Sequence, residues 1–202
     1  MKVSKIAQQL KRPDRYSIFV DGKYSFSLSE SALFESKLAS GQELSKEQVT
    51  QFKKLSADDK VYNQALRYAA MRQRSTWEME SYLQRKKAAP PLQKSILSKL
   101  SNIGLLNDEE FTRVWVANRR LLKPTSLRRL KQELRAKRVS DEIIGQVLEE
   151  DETDELDTLR ELVDKKRKQV KYHDNQKLMQ YLARQGFNYD DIKSVLNEED
   201  VN

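Results

Sequence analysis

The stretch QYLARQGFNYDDIKSVL, residues 180–196, repeats the pattern of QELRAKRVSDEIIGQVL, residues 132–148. A shift of 48 residues superposes Leu134 on Leu182, Val139 on Phe187, Ile144 on Ile192, Val147 on Val195 and Leu148 on Leu196. The match extends upstream, with Leu130 on Leu178 and Ser126 on Asp174, both N-cap residue types. A further copy holds Ser75, Met79 and Leu83, then a three-residue insertion at Pro90-Pro91, then Ile96 and Leu100. Matching caps, cores and turn over 23 ungapped positions are hard to attribute to chance alignment of two amphipathic helices. The period exceeds that of tetratricopeptide repeats and lacks their Trp, Gly and Tyr placements. Each unit reads as one longer helix and two shorter ones. The expected fold is therefore mainly α: tandem three-helix repeats forming an elongated curved rod, preceded by a small N-terminal β-hairpin region.

Composition fits this reading. Of 202 residues, 38% are hydrophobic and 34% charged, with five glycines and four prolines, too few for most strand-rich folds. The absence of cysteine excludes disulfides, thiolate metal sites and cysteine nucleophiles. The opening MKVSKIAQQLKRPDRY lacks a signal-peptide apolar run, and no stretch approaches the length of a membrane span. A cytoplasmic protein with no membrane contact is expected. The net charge of +7 favours an anionic partner.

The N-terminal part differs from the rest. In RYSIFVDGKYSFSLS, residues 15–29, apolar and polar residues alternate around Asp21-Gly22, a strong hairpin signal. Ile18, Val20, Tyr24, Phe26 and Leu28 are assigned to one face. VSKIAQQL supplies a third strand, and a short helix follows over residues 30–38. From Ser45 the chain reads as helical, with capping-box spacing at Ser45/Gln48 and Ser75/Glu78. Phe111, Trp115, Asn118 and Leu122 mark one helical stripe. Leu156, Leu159, Val163 and Val170 mark another. The expected divisions are 1–45, a hairpin region with a short helix; 46–107, a first three-helix repeat with its leading helix; 108–151, a second repeat; and 152–202, a third.

These residues carry a resemblance. The SKI…RYSIFVDGKYSFSLSE segment is followed by RYAAMRQRSTWEMESYLQRK, NIGLLNDEEF and YLARQGFNYDDIKSVL. In that order they resemble RecX, the bacterial family of regulatory proteins that modulates the RecA recombinase. The resemblance covers nearly the whole chain. It implies tandem three-helix repeats, binding along the RecA–DNA filament, and limits on filament growth, strand exchange and RecA ATP hydrolysis. It implies a place in recombination regulation, DNA repair and the SOS response, with no enzymatic activity and no cofactor or metal. In the first repeat AAPP departs from the pattern, where the other copies make a tight turn.

Catalysis finds little support in the residues. His173 is the only histidine and sits in VKYHDNQ, which reads as a polar junction. No phosphate-binding glycine loop is present. The run EEDETDELD, residues 149–157, reads as a solvated helix start rather than a metal loop, since it lacks a mid-loop glycine.

Basic residues are more informative. The net charge is +6 over residues 59–107 but −3 over 152–202. Within 108–151 all ten basic residues fall between Arg113 and Arg138. At 100° per residue, Leu127, Leu130 and Leu134 define a core face. Arg128, Lys131, Arg135 and Arg138 then form a stripe beside it. Arg119, Arg120 and Lys123 precede this stripe, and Arg72, Arg74, Arg85, Lys86 and Lys87 extend the basic set into the first repeat. Such a set suits phosphates or acidic side chains, without base specificity. The expected partners are the RecA filament and, weakly and without sequence preference, DNA, bound by a monomer. A direct duplex-binding module of helix-turn-helix-like units and a pure protein-interaction scaffold are the competing readings. Trp77, Tyr82, Trp115 and Tyr181 are candidates to stack on bases, although packing suits Tyr82 and Tyr181 better.

Overall fold

Asp21 and Gly22 turn the chain with φ of 48° and 76°, a two-residue geometry whose twist matches that of the strands it joins. The computed structural model describes residues 1–201, with side chains through Glu198. Strands β1 (Val3–Gln9), β2 (Arg12–Val20) and β3 (Lys23–Ser29) form an antiparallel sheet in that order. Ile18, Val20, Phe26 and Leu28 are buried on one face as expected. Tyr24 is not. The register slips so that Ile18 faces Phe26 while Phe19 faces Tyr24, leaving one extra residue on β3. This bulge turns Tyr24 to the other face, where it is 59% exposed and meets Phe19 edge-on.

Ser29 caps α1 (Glu30–Ser36), and a full capping box of Ser45 and Gln48 starts α2 (Lys46–Ala70). The sheet packs on these helices through Ile18, Phe26, Leu28 and Val49, with Phe26 stacked on Phe52. A buried ion pair lies across the same contact. The Arg15 guanidinium is 2.9 Å from the Asp59 carboxylate, which also accepts the Ser29 amide and hydroxyl and the Asn63 side-chain amide. Ser56 donates to the Ser27 carbonyl, satisfying an acceptor on the β3 edge.

The remaining helices are α3 (Thr76–Arg85), α4 (Pro90–Asn102), α5 (Asp108–Leu122), α6 (Leu127–Ala136), α7 (Asp141–Glu149), α8 (Glu155–Arg167), α9 (Asn175–Gln185) and α10 (Tyr189–Val201). The chain forms two compact units. One holds Met1–Arg72 and Met79–Ile103; the other holds Gln73–Glu78 and Gly104 onward. In the second unit, Phe111, Leu130, Leu134, Val139, Ile144 and Val147 form one core cluster. Leu159, Val163, Leu178, Leu182, Phe187, Ile192 and Val195 form the equivalent cluster one repeat later.

The repeated turn has one chemistry. Ala88, Val139 and Phe187 donate their amides back to Leu83, Leu134 and Leu182, at 3.1, 3.3 and 3.4 Å. In each case the preceding residue is left-handed: Lys87 (φ 56°), Arg138 (φ 55°) and Gly186 (φ 98°). This is the Schellman stop, whose last amide reaches back over the final helical turn. The AAPP segment therefore does not alter the turn. Ala89 is the N-cap and Pro90 the first helical residue. At 13 residues α4 exceeds the nine of α7 by four, three of them the insertion. Close to one helical turn is added, so Ile96 and Leu100 remain buried.

Two expected stripes end early. On α5 the buried residues are Phe111, Thr112 and Val116, while Asn118 is exposed and Leu122 is 71% exposed. At 15 residues, α5 outruns the ten of α6 and nine of α7 that cover it. Val170 falls beyond α8 in a 3-10 turn, 82% exposed, and Leu162 takes the buried position instead.

Candidate functional site

Helix α6 organises the candidate surface. Ser126 caps it by accepting the Arg129 amide, and its hydroxyl donates to the Gln185 carbonyl at 2.7 Å. The Leu127 amide donates to the Glu155 carboxylate, and the Arg129 guanidinium donates to the Gln185 side chain. The same arrangement stands one repeat earlier. The Thr76 amide donates to Asp108 at 2.7 Å, and the Lys137 ammonium pairs with Glu78 at 2.7 Å. In each case the N-terminus of a middle helix abuts the C-terminus of the next middle helix. Opposite helix-dipole ends thus meet. With Leu130 and Leu134 fully buried, the rotation of α6 is fixed.

That rotation exposes Arg128, Lys131 and Arg135. Arg135 pairs with Asp141 at 2.6 Å, in an exposed pair whose hydrogen bond and charge raise the guanidinium pKa above its usual value. Arg128 and Lys131 have no carboxylate within ion-pair distance among the described residues. Arg138 leaves the expected stripe, because α6 ends at Ala136; its guanidinium lies 5.8 Å from the Trp77 ring. Arg119 is held by Glu133 and lies over Trp115, while Lys123 is exposed just past α5.

Arg120 is not on the open surface. Its side chain is 12% exposed and bonded to Asp151 at 2.7 Å and to the Thr125 carbonyl. Arg74 is half-exposed in the Gln73–Glu78 segment of the same unit. Arg72, Arg85, Lys86 and Lys87 belong to the first unit, all exposed, with Lys86 over the Tyr82 ring. Arg72 and Arg74 are engaged in interactions of their own. Tyr82 stacks on Tyr68 and Tyr181 packs against Tyr172, so both serve packing.

The acidic run has an inward role that its composition hid. Glu150 pairs with Arg113, Asp151 with Arg120, Asp154 caps α8, and Glu155 caps α6. Burial pushes the Asp151 carboxyl up, but the Thr153 hydroxyl and Arg120 outweigh it and hold the pKa below the usual aspartate value. Glu155 goes the other way. Burial raises its pKa first, and the Asp191 and Asp151 carboxylates add to this against the Leu127 amide and Arg120. No cluster of metal-ligating side chains occurs among the described residues. Nor is any described helix long and apolar enough to cross a membrane.

Beside α6 lies a groove of about 470 Å³ lined by Leu127, Arg128, Lys131, Gln132 and Arg135. A second, of about 550 Å³, shares Leu127 and Arg128 and continues past Glu155, Phe187, Tyr189 and Asp191. The basic stripe was legible from helical spacing. The acidic end, supplied by the following repeat, had no local signal.

Residues 1–45 match the model for the regulatory protein RecX N-terminal domain. Residues 107–148 match that for the RecX second three-helix domain, and 152–196 that for the third. The chain is 30% identical to regulatory protein RecX of Bacillus subtilis (strain 168), over 97% of this chain and 76% of the relative. It is 33% identical to regulatory protein RecX of Lactobacillus johnsonii, over 76% of this chain but only 56% of that protein. A crystal structure of regulatory protein RecX superposes with a TM-score of 0.76 at 25% identity, covering 97% of this chain and 98% of that one. RecX from Lactobacillus salivarius superposes with a TM-score of 0.62 at 25% identity, covering 72% of this chain and 98% of that one.

Proposed function

The chain belongs to the RecX family of regulatory proteins, and we propose that it acts without catalysis of its own, in the cytoplasm, by binding the RecA–DNA filament and restraining the recombinase. The observation that carries this reading is the open cationic face of α6, where Arg128 and Lys131 lack an internal carboxylate partner among the described residues. Like charges held on one helical face repel one another until an anionic surface neutralises them. A nucleoprotein filament offers such a surface at every subunit. A monomer whose repeats bridge neighbouring subunits blocks extension of the filament and access to its DNA.

The test is Arg128→Glu with Lys131→Glu. Both positions are solvent-exposed, so the fold is retained. Filament binding is expected to weaken at least tenfold, and inhibition of recombinase ATPase and strand exchange on single-stranded DNA to fall with it. Undiminished inhibition by the folded variant refutes the reading. A second reading, direct duplex-DNA binding, draws on the three-helix units with a basic middle helix. It requires tight duplex binding without recombinase, with sequence preference.

A further inference from the structure

The groove beside α6 is not uniformly basic. It adjoins the second groove, with which it shares Leu127 and Arg128: Lys131 and Arg135 line the first alone, and Glu155 and Asp191 line the second alone. Between them the lining is apolar, from Leu127 and the buried Phe187, with Tyr189 half-exposed at the rim. Asp191 has no cationic partner within ion-pair distance among the described residues. Glu155 beside it accepts the Leu127 amide and likewise has no cation within ion-pair distance among the described residues.

A phosphate backbone fits only half of this groove. Its charge repeats with one sign along its length. A strand neutralised at Lys131 and Arg128 runs next into two carboxylates. A polypeptide has no such constraint, because its side chains alternate in charge and supply apolar anchors.

We propose that this groove seats a segment of a partner protein, with acidic residues against Arg128 and Lys131, an apolar side chain over Leu127 and Phe187, and a basic residue against Asp191. This rests on the filament reading above. The segment then belongs to the recombinase subunit, and phosphate contacts fall to basic residues elsewhere.

The two occupants predict opposite signs for one substitution. Asp191→Lys removes the partner for a basic side chain, so filament binding is expected to weaken about tenfold. A polyanion in the groove would instead bind Asp191→Lys more tightly. Asp191 lies in the first turn of α10, where a lysine disfavours the helix. The exposed α9 residue Ala183, which lines the second groove together with Arg128 and Asp191, provides a second variant that leaves every cap intact. Ala183→Glu is expected to hold or tighten filament binding, and a nucleic-acid occupant would make it weaken. Binding of the full chain is measured to recombinase filaments on single-stranded DNA and, separately, to the bare strand. Tighter or unchanged filament binding by Asp191→Lys, or weaker binding by Ala183→Glu, overturns the proposal while leaving the filament reading standing. Failure of the wild-type chain to bind filaments overturns both.

Discussion

Two carboxylates four residues apart have pKa values shifted in opposite directions, and pH separates them. Asp151 is depressed in the folded state, so its contribution to stability is present above the ordinary aspartate range and is lost as pH falls through the folded value. Glu155 is raised, so its contribution is present below the ordinary glutamate range and is lost as pH rises through the folded value. Asp151→Asn is therefore expected to destabilise at neutral pH by about 3 kcal/mol, since Arg120 is left buried without its counter-ion. The deficit shrinks on acidification below about pH 4. For Glu155→Gln the trend reverses: its deficit against the wild type grows as pH falls from about 6 to 4. Urea unfolding of each variant from about pH 6 down to about pH 2 measures both, and wild-type and Asp151→Asn curves that stay parallel below about pH 4 would rule out a stabilising Asp151–Arg120 pair. The same scale explains the repeat turns. Gly186 has no room for a Cβ, which would meet the Ser126 hydroxyl at 2.7 Å. Lys87 and Arg138 hold the same left-handed conformation with full side chains, at about 1–2 kcal/mol of backbone strain each.

At the scale of elements, the sheet is held to α2 by a charge pair as well as by apolar packing. Arg15 and Asp59 have side chains only 4% and 6% exposed. Asp59→Ala strands the guanidinium and removes the acceptor for the Ser29 amide, so a loss of about 3–5 kcal/mol is expected. Replacing both residues by apolar ones of similar size is expected to recover most of it, and thermal unfolding of the wild type and the two variants measures both effects. The pair shows where sequence reading stops. Helical spacing placed Leu130, Leu134, Leu178 and Leu182 in the core, and Asp21-Gly22 placed the hairpin, because both signals are local. The bulge that exposes Tyr24 depends on which residues pair across strands. Periodicity assigns Val170 and Leu122 to core stripes because it does not report where covering helices end. The pairings of Arg15 with Asp59 and Arg120 with Asp151 join residues distant in the chain, and no spacing rule reaches them. Accordingly, Arg128 and Lys131 were readable as an exposed cationic stripe, whereas the burial of Arg120 and the acidic end of the groove were not.

Over the molecule as a whole, charge is unevenly distributed. The segment 59–107 carries +6, with Arg85, Lys86 and Lys87 consecutive and exposed at the end of α3. These cations sit in the first unit, and the α6 groove with its mixed charges sits in the second. If the groove takes protein, the phosphate contacts reside in the first unit, and salt dependence separates the two. Each phosphate neutralised on a single strand contributes about 0.7 to the slope of log affinity against log salt. Replacing Arg85, Lys86 and Lys87 together by glutamine is therefore expected to reduce that slope on bare single-stranded DNA by about 2. Asp191→Lys, which impairs filament binding, is expected to leave the bare-strand slope unchanged. Fluorescence anisotropy with a labelled oligonucleotide at four salt concentrations reads both slopes. A steeper slope for Asp191→Lys would put the phosphates in the groove, and an unaltered slope for the triple variant would take them away from the end of α3.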